Sequence, residues 1–253
     1  MELFFSKYGQ GPALVILHGF LGTSDNWFSL GKQFSEHFTV YLIDLRNHGR
    51  SPHSEQFNYD LMANDLKELL DREQIENPFI IGHSMGGKVV MNYSKLFPDQ
   101  FEKLIIVDIS PRFYPVHHET IMEGLLSIDL SQLGSRNDAE TQLANYVKDP
   151  GVRQFLLKNL DRSKGGFSWK ANLKVLNEQI EEVGKEIYSE NVTEKSVLFL
   201  AGDHSDYIKT SDRSQIKSMY PNSKILTIKN AGHWLHAEQP EVFYKSVNYF
   251  LSN

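Results

Sequence analysis

Residues 82–87 read Gly82-His83-Ser84-Met85-Gly86-Gly87, directly after the apolar run Pro78-Phe79-Ile80-Ile81. A serine with glycines two places away on each side, between a strand pattern and a helical one, predicts a turn so sharp that the serine takes strained backbone angles. Side chains at 82 or 86 would collide with neighbouring chain. The helical spacing of Lys88-Val89-Val90-Met91-Asn92-Tyr93 then sets the hydroxyl above a helix N-terminus, where unpaired backbone N–H groups favour developing negative charge. The string predicts an exposed nucleophile and acyl transfer. The competing reading is a Gly-rich turn in which the serine is incidental.

The rest of the chain supplies a frame for such a turn. Runs at 13–18, 39–44, 78–82, 103–108, 197–202 and 224–228 read as strands, most of them continuously apolar as expected of strands covered on both faces. Helical spacing falls between them, at 24–36, 59–73, 85–97, 210–220 and 240–251. This alternation predicts an α/β fold with a mostly parallel central sheet flanked by helices. Phe4, Tyr8 and their neighbours add an edge strand or hairpin. Residues 111–194 break the rhythm, with helical segments near 118–127, 139–146, 152–159, 170–177 and 180–188 and no convincing strand. The reading is therefore a core of residues 1–110 and 195–253, with an all-helical lid over 111–194. An insertion at the carboxyl end of a parallel strand lies over the usual ligand crevice.

Composition narrows the classes. The 253 residues can bury a substantial core, and 40% apolar with 23% charged is ordinary for a globular chain. A net charge of −6 argues against a nucleic-acid partner, which wants a basic face. No run is long and apolar enough to span a bilayer, so no stable membrane insertion is expected. The start, Met1-Glu2-Leu3-Phe4-Phe5-Ser6-Lys7, lacks the basic opening and long apolar core of a secretory signal, which predicts a cytoplasmic protein. With no cysteine there is neither a disulfide nor a thiol nucleophile, and no histidine pair has zinc spacing with a carboxylate. A metal site is not expected. Oligomeric state is not legible.

A serine nucleophile needs a base, and the base needs orienting. Of ten histidines, His233 in Asn230-Ala231-Gly232-His233-Trp234 is the strongest candidate, because its loop follows the 224–228 strand and ends on the same sheet edge as Ser84. His236 reads as helping to start the final helix, His18 as stabilising its loop, and His83 as pointing away from Ser84. His37, His48, His53, His117, His118 and His204 read as solvated. The string His18-Gly19-Phe20-Leu21-Gly22 lets the backbone approach a substrate, and the N–H groups of Phe20 and Met85 can hold an oxyanion. For the acid, three aspartates end or follow strands: Asp108, Asp203 and Asp206. Asp44 reads as clamping its own loop through Arg46.

Together these segments resemble the α/β-hydrolase superfamily along essentially the whole chain. Asp44-Leu45-Arg46-Asn47-His48-Gly49-Arg50-Ser51, the 82–88 string with its Lys88, and Ile106-Val107-Asp108-Ile109-Ser110-Pro111 look most like the YbfF-type acyl esterases, and Gly165-Gly166-Phe167-Ser168-Trp169-Lys170 is similar to their lid, read as helical. The resemblance implies cleavage of short-chain esters and, in some members, acyl-CoA thioesters, without a cofactor. It places the lid after the sixth strand. The superfamily's usual acid position is Ser205 here, and YbfF-like enzymes similarly use the aspartate ending the sixth strand. The resemblance therefore selects Asp108, with Ser205 as an auxiliary partner and Asp206 as the alternative acid.

The expected cycle is a two-step acyl exchange on a small-molecule ester or thioester. Leu21, Phe113, Tyr114, Trp169, Leu173 and Trp234 are candidates for an apolar substrate pocket, and Arg112, Lys164 and Lys170 for contact with a charged leaving group. Carbon–carbon bond hydrolases and a menaquinone-pathway lyase share this fold and turn. A small-ligand binder that retains the triad is the non-enzymatic alternative.

Overall fold

The computed structural model describes residues 1–116, 118–163 and 165–253. His117 and Lys164, both weighed above, lie outside the described residues. The central sheet has seven strands: β1 (Phe5–Tyr8), β2 (Ala13–Leu17), β3 (Thr39–Ile43), β4 (Phe79–His83), β5 (Leu104–Val107), then β8 (Val197–Gly202) and β9 (Lys224–Ile228). Their spatial order is β1-β3-β2-β4-β5-β8-β9, and only β1 runs antiparallel, pairing Phe5 with Ile43. The chain thus opens with one edge strand, not a hairpin. Leu104–Val107 is accordingly the fifth strand rather than the sixth.

Helices cover both faces. On one side α1 (Phe28–Phe34) and α11 (Pro240–Ser252) bring Leu30, Phe34, Phe243 and Val247 against the sheet, with Trp27 beside them. On the other, α2 (Tyr59–Arg72), α3 (Met85–Leu96) and α9 (Arg213–Met219) bury Leu66, Leu69, Val89, Val90 and Ile216. Each such side chain contributes about 1.5–3 kcal/mol by leaving water. Asn58 starts α2 by accepting from the Leu61 N–H at 2.9 Å, satisfying a donor that the helix itself leaves open.

Between β5 and β8 the chain forms α4 (Glu119–Leu126), α5 (Arg136–Leu143), α6 (Pro150–Leu157), α7 (Leu173–Glu178) and α8 (Ile180–Gly184). It is not all-helical. The strands β6 (Leu160–Ser163) and β7 (Gly166–Trp169) pair antiparallel, so the Gly165–Lys170 string is a turn and a strand rather than a helix. Gly166 has φ +113°, open to glycine and poorly suited to other residues, and Gly166–Trp169 alternates in exposure with the period of a strand. The insert's Met122, Leu125, Leu143, Leu156 and Leu176 continue the apolar layer of the α2–α3 face.

The strand order reverses between β2 and β4, because β3 lies beyond β2 while β5 lies beyond β4. Loops leaving such a switch point diverge and open a crevice at the carboxyl edge of the sheet. Those loops carry His18–Gly22 and Ser84.

Candidate active site

β4 ends at His83 and α3 begins at Met85, leaving Ser84 alone in the turn at φ 52°. The glycines make this possible. A Cβ on Gly82 would overlap the Gly86 carbonyl, and one on Gly86 would lie 2.6 Å from the His18 carbonyl oxygen. Holding a serine at positive φ costs about 1–3 kcal/mol, which the surrounding packing offsets. The Ser84 N–H donates to the Val107 carbonyl at 2.9 Å, tying the turn to the end of β5.

The next residue there is Asp108, fully buried and itself at φ 49°. Its N–H reaches the Leu200 carbonyl of β8 at 2.8 Å, so the parallel ladder delivers the carboxylate beside the serine turn. Oδ2 accepts from His233 Nδ1 at 2.8 Å and from the Ser205 hydroxyl at 2.5 Å, and Oδ1 accepts from the Gly202 N–H at 3.1 Å. With Nδ1 donating to Asp108, His233 Nε2 is left as an acceptor, and it lies 3.0 Å from Ser84 Oγ. The His83 ring donates from Nε2 to the His233 carbonyl at 2.9 Å, and the Tyr207 ring stacks on the His233 ring at 4.0 Å.

The other acids lie elsewhere. Asp206 is exposed and its carbonyl accepts from Arg112 at 3.2 Å; Asp203 is exposed and accepts from the Ala231 N–H at 3.1 Å. Asp44 does hold its loop, but through the N–H groups of Ser24 and Arg50, at 2.6 and 2.9 Å. Arg46 pairs instead with Asp65 on α2.

Gly19 packs so closely that an added Cβ would come 3.3 Å from Ser84 Cβ. The loop after β2 is thereby pressed onto the serine turn. Neither the Phe20 nor the Met85 N–H donates to a protein group among the described residues. Leu21, at φ 56°, fixes this loop: its N–H donates to His48 Nε2 at 3.3 Å and its carbonyl accepts from Asn159 of the insert at 2.6 Å.

His48 departs from the solvated reading. His48 is fully buried and burial pushes its pKa down to about 3, so the neutral ring can accept from Leu21. Burial likewise lowers His18, which accepts from the Leu45 N–H at 3.0 Å, and drives His83 well below the ordinary imidazole range. His236 does more than open a helix. It is buried in α10 (Leu235–Glu238), stacks on Trp27 at 4.2 Å and is lowered to about 3 by burial.

A cavity of 270 Å³ opens at Ser84, with Phe20, Leu21, Trp234 and His233 in its wall. Trp27, Val152, Phe155 and Leu156 also line it and escaped the sequence reading, since nothing in their local spacing marks them off from core residues, and His118 and His236, given other roles above, line it too. Phe113 is 56% exposed, and Trp169 and Leu173 pack in the insert away from the cavity wall. Arg112 pairs with Asp212, and the Lys170 carbonyl accepts from His53. Among the described residues no group of three or more His, Asp or Glu side chains is placed to hold a metal ion, and no helix is long and apolar enough to cross a membrane.

A strained serine after a central strand, a histidine–aspartate pair behind it and an insert above define the hydrolase class of α/β proteins. The family model for the alpha/beta hydrolase fold matches residues 12–240, and the chain belongs to that family. Within it the chain falls in the esterase branch that holds YbfF. Esterase YbfF of Escherichia coli (strain K12) is 32% identical over 98% of this chain and 96% of its own. The sn-1-specific diacylglycerol lipase ABHD11 of Danio rerio is 37% identical, covering 98% of this chain and 80% of its own length. A solved marine microorganism esterase superposes with a TM-score of 0.96 at 42% identity, over 98% of this chain and 99% of that one.

Proposed function

We propose that this protein hydrolyses carboxylic esters of small molecules through an acyl-enzyme on Ser84. His233 takes the Ser84 proton as the hydroxyl attacks the carbonyl, and the N–H groups of Phe20 and Met85 hold the oxyanion. His233 then protonates the leaving group, and water repeats the sequence to free the acid. Asp108 orients His233 and stabilises its cationic form. Residues 111–194 act as the lid that shields the acyl-enzyme from bulk water.

The observation that most supports this reading is the continuous relay from Asp108 through His233 to Ser84, at 2.8 and 3.0 Å, at the mouth of an apolar cavity. The relatives named as esterases and a lipase support the same chemistry. The cavity wall contains no lysine or arginine among the described residues. That favours an uncharged alcohol over the anionic diketone or diene of the carbon–carbon hydrolases and lyase, and over phosphate contacts to coenzyme A inside the cavity. Thioesters with a slender thiol arm remain within the same chemistry.

Steady-state kinetics on p-nitrophenyl acetate and butyrate, acetyl-CoA and an anionic diketone test the reading. Turnover of the esters that disappears in Ser84→Ala is expected. Turnover slower than about one per minute on every ester would favour a ligand binder, since enzymes of this kind run far faster.

A further inference from the structure

Two cavities meet at Ser84. The larger has His233 and Trp234 in its wall. The smaller offers only 20 Å³ and is closed by Met85, Ile109, Tyr114, Ile180 and Val183, without His233. In the acyl exchange described above, the leaving oxygen must sit within reach of His233 Nε2 to receive its proton. The leaving group therefore occupies the larger cavity, and the acyl chain points into the smaller one. A space of about 10–15 Å³ holds one water, so the smaller cavity has room for little beyond a methyl or ethyl group.

Its far wall belongs to the insert, and the insert is pinned from below. Lys88 is fully buried one helical turn after Ser84. Its ammonium donates to the carbonyls of Arg112 at 2.8 Å, Gly184 at 3.4 Å and Lys185. Arg112 lies where the insert leaves the sheet, and Gly184 and Lys185 lie at the end of α8. An ammonium has three N–H groups, and here each has a backbone carbonyl. The two roots also bond each other directly, Tyr114 N–H to the Gly184 carbonyl and Ile187 N–H to the Pro111 carbonyl, both at 2.8 Å. Gly184 has no room for a side chain, because a Cβ there would overlap the Tyr114 carbonyl. Burial pushes the Lys88 ammonium down to about 7, with Glu186 opposing the fall and Arg112 adding to it. No carboxylate bonds it directly among the described residues, so the carbonyls are what hold it in place.

We propose that Lys88 is a positioning residue for acyl selectivity: by pinning both roots of the insert to α3, it holds Ile180 and Val183 as the end wall of the acyl cavity. This rests on the acyl-enzyme reading above. An apolar residue at 88 leaves the root carbonyls short of donors, and the wall formed by α8 moves back.

The experiment compares kcat and KM for p-nitrophenyl acetate, butyrate and hexanoate, which share one leaving group, in wild type, Lys88→Met, Lys88→Gln and Val183→Ala. Wild type is expected to lose about tenfold or more in kcat/KM from acetate to hexanoate, the size of effect one or two misfit methylenes produce. Val183→Ala and Lys88→Met should each shrink that ratio about fivefold or more. Lys88→Gln, which keeps two donors, should fall between Lys88→Met and wild type. A general loss of folding lowers all three esters alike and leaves the ratio unchanged, and Lys88→Gln and Val183→Ala carry the test if Lys88→Met does not fold. An unchanged ratio in the folded variants, or a wild type that prefers hexanoate, overturns the proposal while the acyl-enzyme reading stands. Undiminished acetate turnover in Ser84→Ala overturns both.

Discussion

At the scale of single residues, the geometry around His233 separates partners that hold its ring from neighbours that merely lie close. Asp108 accepts from Nδ1, while the Ser205 hydroxyl and the Gly202 N–H donate to the same carboxylate. Asp108→Asn presents an amide in place of a pure acceptor and no longer enforces the tautomer that leaves Nε2 free. A fall in kcat of about 10³–10⁴-fold with little change in melting temperature is expected. Ser205→Ala removes one hydrogen bond to the carboxylate and should cost about threefold to tenfold in kcat/KM. Asp206→Asn alters an exposed side chain away from the relay and should stay within about twofold of wild type. Ester kinetics on the three variants rank them. A larger loss in Asp206→Asn than in Asp108→Asn would reverse the assignment of the acid.

At the scale of elements, the serine turn works because three pieces of backbone touch where only glycine fits. Gly86→Ala forces a methyl against the carbonyls of His18 and Leu17, at 2.6 and 2.7 Å, and both are main chain at the end of β2. Such overpacking costs about 1–3 kcal/mol. It also separates the Phe20 loop from Ser84, so a lowered melting temperature accompanied by a loss of kcat is expected. This turn was legible in advance because glycine spacing is local chemistry, and so were β2, β3, β4, β5 and β8, whose apolar runs record burial on both faces. The hairpin of β6 and β7 was not. Its two strands are short, largely exposed and lie within a helical stretch, so they carry little hydrophobic period, and the Gly165-Gly166 pair was the remaining cue. The cavity wall was hidden for a different reason. Phe155 and His236 reach Ser84 only through tertiary packing, and on their own helices they are indistinguishable from residues facing the core.

At the scale of the whole molecule, four buried neutral histidines link folding to pH. His18, His48, His83 and His236 are all lowered by burial, His48 and His236 to about 3. An unfolded chain protonates these rings as pH drops through about 6.5, whereas the native state resists until far lower pH. The unfolded state then binds more protons, so stability is intact above about pH 6.5 and falls as pH drops toward about 3. For His48 and His236 the shift to about 3 is worth on the order of several kcal/mol each over that window. Urea midpoints measured between about pH 7 and pH 4 should fall steeply. The slope should ease by up to one proton in His236→Phe, which keeps the stack on Trp27. A midpoint indifferent to pH would contradict the picture.

The chemical event proposed here is transfer of an acyl group to the hydroxyl of Ser84. Mixing the protein with excess p-nitrophenyl acetate, quenching in acid within the first turnovers and mapping peptides by mass spectrometry reads that event directly. An acetyl adduct confined to the peptide carrying Ser84, accumulating in wild type and missing in His233→Ala, is the predicted result. Steady ester turnover with the adduct on another side chain, or undiminished turnover in Ser84→Ala, would contradict the account.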